Sequence, residues 1–235
     1  MIEARFRRRA GSEDVQTLHS TIQACLLSVS WMWKTSQVNL ALESNGESAA
    51  CDLSSCLREG VSGSISYSAR FPGAMRDRAT FDDVLTLQID EGVVEYGTFV
   101  NKIFCQMVSC FNAYRAAIVL DLDFDLDDYD LIVEQSQLSG KDVDGRDSVF
   151  RINPVNFFDG ELCIRAFGQT ADEIANAVRD GVERVTLQSG GLLLIVTSEL
   201  VDRENLRAVH DHVVSLLALD RRASDQTGVR DCGNT

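Results

Sequence analysis

Residues 118 to 130, Ile-Val-Leu-Asp-Leu-Asp-Phe-Asp-Leu-Asp-Asp-Tyr-Asp, alternate large apolar side chains with carboxylates after a short hydrophobic entry. A period of two is the signature of a strand, in which neighbouring side chains point to opposite faces. The pattern predicts that Leu120, Leu122, Phe124 and Leu126 anchor in a core while Asp121, Asp123, Asp125 and Asp127 form a ladder on the other side. Carboxylates spaced at roughly 7 Å along one face repel each other, and Asp is poorly suited to strands. Their presence therefore points to a cationic partner, with Asp121, Asp123, Asp125, Asp127, Asp128 and Asp130 as the expected contact set.

The charge is concentrated around that feature. The 235 residues carry a formal net charge of -14, and the stretch from Asp121 to Asp147 holds ten acidic side chains against Lys141 and Arg146. Such a field repels nucleic acid and anionic membrane but speeds association with a basic protein. With 45% hydrophobic residues the chain can build an ordinary core, and no stretch reaches the roughly 18 apolar residues of a membrane span. Arg7, Arg8 and Arg9 do not open an export signal, because Gly11 to Asp14 is polar and serines interrupt the later apolar run. Seven cysteines in apolar surroundings, without a Cys-x-x-Cys pair or nearby His, indicate neither a disulfide scaffold nor a zinc site. A reducing compartment, the cytoplasm, is the expectation.

Periodicity supplies the remaining elements. Met1 to Arg8 alternates as a strand, and Val15, Leu18, Ile22, Cys25, Leu26 and Val29 form the buried stripe of a helix that Ser12 would cap. Trp31 to Leu42 reads as extended, residues 43 to 80 as loops, short strands and one short helix, and Val84 to Ile89 as a strand. A second helix carries the stripe Phe99, Val100, Ile103, Phe104, Met107, Val108, Phe111 and Tyr114. After a polar linker at 135 to 148, Leu162 to Phe167 reads as a strand, and Thr170 with Glu173 as the capping box of a helix extending to about 185. Leu192 to Val196 is a continuous apolar strand for a sheet interior, and Asp202 caps a last helix. The expectation is an α+β (mixed α/β) fold, a central sheet covered by amphipathic helices. It forms one globular domain over residues 1–220, with 135–150 as the place where two subdomains would divide, and a disordered tail over 221–235.

Catalytic signatures are absent from the pattern. An EF-hand loop opening at Asp121 would need Gly and Glu where Leu126 and Ile132 stand. Ser189-Gly190-Gly191 has neither a nucleophile-elbow frame nor a phosphate-loop Lys. A two-carboxylate magnesium site on the Asp121–Asp127 strand, serving phosphoryl transfer, stays open as the alternative; no resident cofactor or metal is otherwise implied.

The segment Ile152-Asn153-Pro154-Val155-Asn156-Phe157-Phe158-Asp159-Gly160-Glu161-Leu162-Cys163-Ile164-Arg165-Ala166-Phe167-Gly168, with Gly191 to Leu200, resembles the bacterial polymorphic-toxin immunity proteins of the family numbered 52. The resemblance covers residues 150 to 217. It implies a small cytoplasmic antidote that binds a nuclease toxin, often one delivered by type VI secretion, and carries no fixed functional residues with it. A basic nuclease cleft is the kind of partner that the acidic run would fit.

Overall fold

A computed structural model describes residues 1–35, 40–44, 48–70 and 78–228, with side chains up to residue 218. The N-terminal alternation forms β1 (Ile2–Arg9), which sits in the middle of the sheet. The other strands are β2 (Glu43–Ser44), β3 (Ala49–Asp52), β4 (Val61–Tyr67), β5 (Asp82–Ile89), β6 (Arg115–Val119), β7 (Val155–Asp159), β8 (Arg184–Gln188) and β9 (Gly191–Ile195). They join in one nine-stranded sheet of order β2-β3-β4-β5-β1-β6-β7-β9-β8, with antiparallel pairing throughout. The expected α+β architecture is therefore present.

The register explains why the two faces differ. Leu85, Phe6, Ala116, Phe157 and Leu193 lie side by side across five strands and belong to one hydrophobic core. That face is covered by α1 (Val15–Ser28) and by a helical run in which α2 (Tyr96–Thr98) passes through a π-helical stretch, Phe99–Ile103, into α3 (Phe104–Phe111). The expected stripe is buried from Phe99 to Phe111, whereas Tyr114 lies beyond the end of α3 and packs in the cluster on the opposite face; Phe6 meets Phe104 with ring centroids 5.1 Å apart. Asp14, not Ser12, caps α1, its carboxylate accepting from the Thr17 amide at 2.8 Å.

One residue along, the neighbours are Val84, Arg7, Arg115, Phe158 and Leu192. This second face is apolar only towards β7 and β9, where Phe158, Leu192 and Leu194 pack under α6 (Gly160–Phe167), α7 (Ala171–Val178) and α8 (Arg203–Gly228). Towards β1 and β6 it is lined by arginine. A loop over residues 140–153 covers that polar half through ion pairs, so the segment expected as a linker is packed on the sheet.

Several sequence expectations are corrected here. Leu162–Phe167 is helical, because Asp159 caps α6 through the Leu162 amide (2.7 Å) and Gly168 closes it at φ +67°; the strand is the preceding, fully buried Val155–Phe158 run. The helix after Thr170 stops at Val178, and Arg184–Gln188 is an edge strand. Ser30–Met32 is a 3-10 turn rather than extended chain. α8 is described as far as residue 228, and 229–235 lie outside the described residues. Cys25 and Cys110, read as thiols, form a disulfide that ties α1 to α3. Cys51, Cys56, Cys105 and Cys163 are outside any disulfide, and burial pushes the Cys51 and Cys163 thiols up to about 11 and about 12. Among the described residues no helix is long and apolar enough to cross a membrane.

Candidate functional site

The acidic run does not form the expected strand. β6 ends at Val119, Asp121 turns the chain, and two helices follow: α4 (Leu122–Asp127) and α5 (Tyr129–Ser139). The cause is visible in the same residues that suggested a strand. Asp121 is an N-cap whose carboxylate accepts from the Phe124 amide at 2.9 Å, and Asp123 and Asp125 place negative charge in the first helical turn, where the helix dipole favours it. Helix-start chemistry outweighs a period-two pattern that Asp cannot support well in a sheet.

The helical turn sorts the carboxylates into two groups. Phe124, only 3% exposed, points into the protein, and Asp125 and Asp128 flank it at helical spacing. Arg151 stacks over the Phe124 ring at 3.9 Å, donates to the Phe124 carbonyl at 3.0 Å and pairs with Asp128 and Asp125. Arg5 of β1 also reaches Asp125 at 3.5 Å, while its other contacts go to Glu3. From α8, Arg203 pairs with Asp127, and Arg203 and Arg207 stand 5.4 Å from the same phenyl ring. Thus α4 is pinned by arginines from three distant segments.

On the outer side Asp123 and Asp130 are exposed and make no hydrogen bond or ion pair among the described residues, and Asp127 is paired only at the surface. Leu126, Tyr129 and Leu138 are 64%, 61% and 80% exposed, and α5 buries none of its residues. From residue 121 to 140 the sequence contains no Lys, Arg or His. This is an exposed helical surface that combines carboxylates with large apolar groups. Sequence reasoning placed the charge correctly and its geometry incorrectly. It also missed the arginines that hold α4, which are Arg5, Arg151, Arg203 and Arg207. Of these only Arg5 carried a signal, as one of the arginines at alternate positions of β1.

Beside α4 the 140–153 loop builds a buried polar network. Asp82 accepts from Arg146 Nε (2.8 Å), Arg146 Nη2 (2.6 Å) and the Tyr114 hydroxyl (2.6 Å). Burial raises its carboxyl to about 6 against the pull of both partners. Asp144, at φ +56°, pairs with Arg115. His210 of α8 accepts the Ile152 amide at 3.0 Å, and burial lowers its pKa. His19, buried against the Tyr67 hydroxyl and the Leu40 carbonyl, each at 2.8 Å, is a satisfied core residue.

The magnesium alternative loses its basis in this geometry. The carboxylates do not stand in a row: Asp121 caps α4, Asp125 and Asp127 pair with arginine, and Asp123 is exposed on the outer side.

No family model matches the chain, and no curated protein matches it. Among solved structures its fold is similar to that of the Pseudomonas aeruginosa T6SS protein PA0821, with a TM-score of 0.52 and 8% identity over 92% of this chain and 72% of that one. At this identity the likeness is one of fold.

Proposed function

We propose that the chain is an immunity protein that binds and neutralises a nuclease toxin of an interbacterial secretion system. The observation that carries the reading is the exposed face of α4 and α5. Asp123, Asp127, Asp130 and Glu134 supply charge there, and Leu126 and Tyr129 supply exposed apolar groups. Charge speeds and orients encounter with a basic surface, while buried apolar and aromatic groups carry most of the affinity. A nuclease must be basic where it holds phosphates, so this face competes for its nucleic-acid cleft. The fold likeness to a type VI secretion protein, and the resemblance at residues 150–217 to an immunity family, support the same interbacterial setting.

Within this reading the original contact set divides. Asp123, Asp127 and Asp130 meet the partner, whereas Asp121, Asp125 and Asp128 position the helix that presents them. The test is co-expression with the nuclease toxin encoded beside this gene, scored by survival and by nuclease activity of the purified pair. The wild-type chain protects, and a chain carrying Asp123→Lys and Asp130→Lys, folded as judged by its melting curve, protects poorly. Full protection by that variant would remove α4 and α5 from the interface.

A further inference from the structure

The polar half of the second sheet face lines a partly open cavity that the proposed toxin contact does not use. The register sets Arg7 of β1 directly opposite Arg115 of β6, and Arg5 opposite Ala117. Like charges in directly opposed positions are destabilising unless an anion lies between or beside them. Asp144 answers Arg115, and Arg5 and Arg151 share Asp125 while also pairing with Glu3 and Asp128 respectively. The Arg7 guanidinium has no hydrogen bond or ion pair among the described residues, and its charge acts on Asp82 and Tyr114 without direct contact. All four guanidinium-bearing side chains line one cavity, against the two carboxylates of Asp125 and Asp144.

The cavity is small, about 20 Å³, and partly open to solvent, so it takes one compact group whose remainder can extend outwards. Guanidinium groups are suited to oxyanions, whose geometry they match with paired N–H donors. Here they arrive from one face of the adjacent strands β1 and β6 and from the segment before β7. A tetrahedral anion offers oxygens in all these directions, whereas a planar carboxylate offers one edge.

We infer that this cavity is a binding site for a phosphoryl-sized oxyanion, inorganic phosphate or the phosphate of a monoester, seated by Arg7 together with Arg115 and Arg151. Binding gives Arg7 the anion that the chain itself does not provide. Ala117 forms part of the cavity wall without contributing charge.

Titration calorimetry on the full chain with inorganic phosphate, at ionic strength held constant with sodium chloride, tests the site. Phosphate binds the wild type, and Arg7→Gln weakens it by about tenfold or more, as expected for loss of a charge-assisted contact. Ala117→Val, which fills the space and leaves every arginine in place, has the same effect. Arg184→Gln, on the exposed edge strand, leaves binding unchanged. Phosphoserine binding as well as phosphate assigns the site to a phosphorylated partner, and phosphate binding alone assigns it to the free ion. Absence of phosphate binding in the wild type overturns the inference, as does equal binding of acetate. Wild-type affinity in a folded Arg7→Gln or Ala117→Val chain overturns it equally.

Discussion

Replacing Arg146 with Met removes the guanidinium that holds Asp82 and leaves the carboxyl, fully buried at its side chain, with the Tyr114 hydroxyl alone. Breaking a buried pair from one side costs about 3–5 kcal/mol, because the remaining charge is left without compensation. In a chain of this size each kcal/mol moves the melting temperature by about 2–4 °C, so the expected loss is about 6–20 °C at pH 8. The loss depends on pH, and its sign follows from Asp82. Burial raises its folded carboxyl from the usual 3.8 to about 6. Its contribution to stability is therefore complete below the unfolded value and is withdrawn as pH climbs through about 6. Two units correspond to about 3 kcal/mol. Without Arg146 the carboxyl moves further up, and Asp82 at pH 5 escapes the penalty by taking a proton. Thermal melts of both chains at pH 5 and pH 8 should show a deficit that is small in acid and grows with pH. A deficit under about 1 kcal/mol at pH 8, or one equal at the two pH values, would refute the reasoning.

Phe124→Ala, which empties the site gripped by Arg151, Arg203 and Arg207, should cost about 3–5 kcal/mol and speed amide exchange in α4 ahead of the rest of the chain. Thr170→Ala removes one half of a complete capping box and should cost about 1 kcal/mol in denaturant unfolding. Cys25→Ala with Cys110→Ala opens a cross-link spanning 85 residues, and the oxidised wild type should exceed it by about 2–4 kcal/mol, a difference that reducing agent abolishes.

How much of this was readable differs from element to element, for physical reasons. Wide apolar stripes were decisive. The stripe residues from Phe99 to Phe111 and the helical positions around Ile22 and Leu26 are buried as their spacing implies, and Leu192–Ile195 lies inside the sheet as a continuous apolar run should. The Thr170–Glu173 box closes with both of its bonds. Errors fell where capping competes with periodicity. Asp121 and Asp159 each accept from the amide three residues on, and each converts a segment that reads as extended into a helix. The candidate face was legible as charge, since the acidic run is local in sequence. The arginines that fix it come from β1, the loop before β7 and α8, and only the sheet register brings them to one place. The Cys25–Cys110 bond was hidden for the same reason, because it joins helices far apart in sequence.

The central claim is that the outward side of α4 and α5 docks on a basic nuclease. Its most direct measurement is the affinity of the purified chain for the toxin encoded beside it, taken between about 50 and 200 mM salt. Wild type is compared with a chain carrying Asp123→Asn, Asp130→Asn and Glu134→Gln. The account predicts that the wild type weakens as salt rises. The variant, with an unchanged melting temperature, binds more weakly at low salt and has a flatter dependence. The same affinity and the same salt slope in both chains would contradict it.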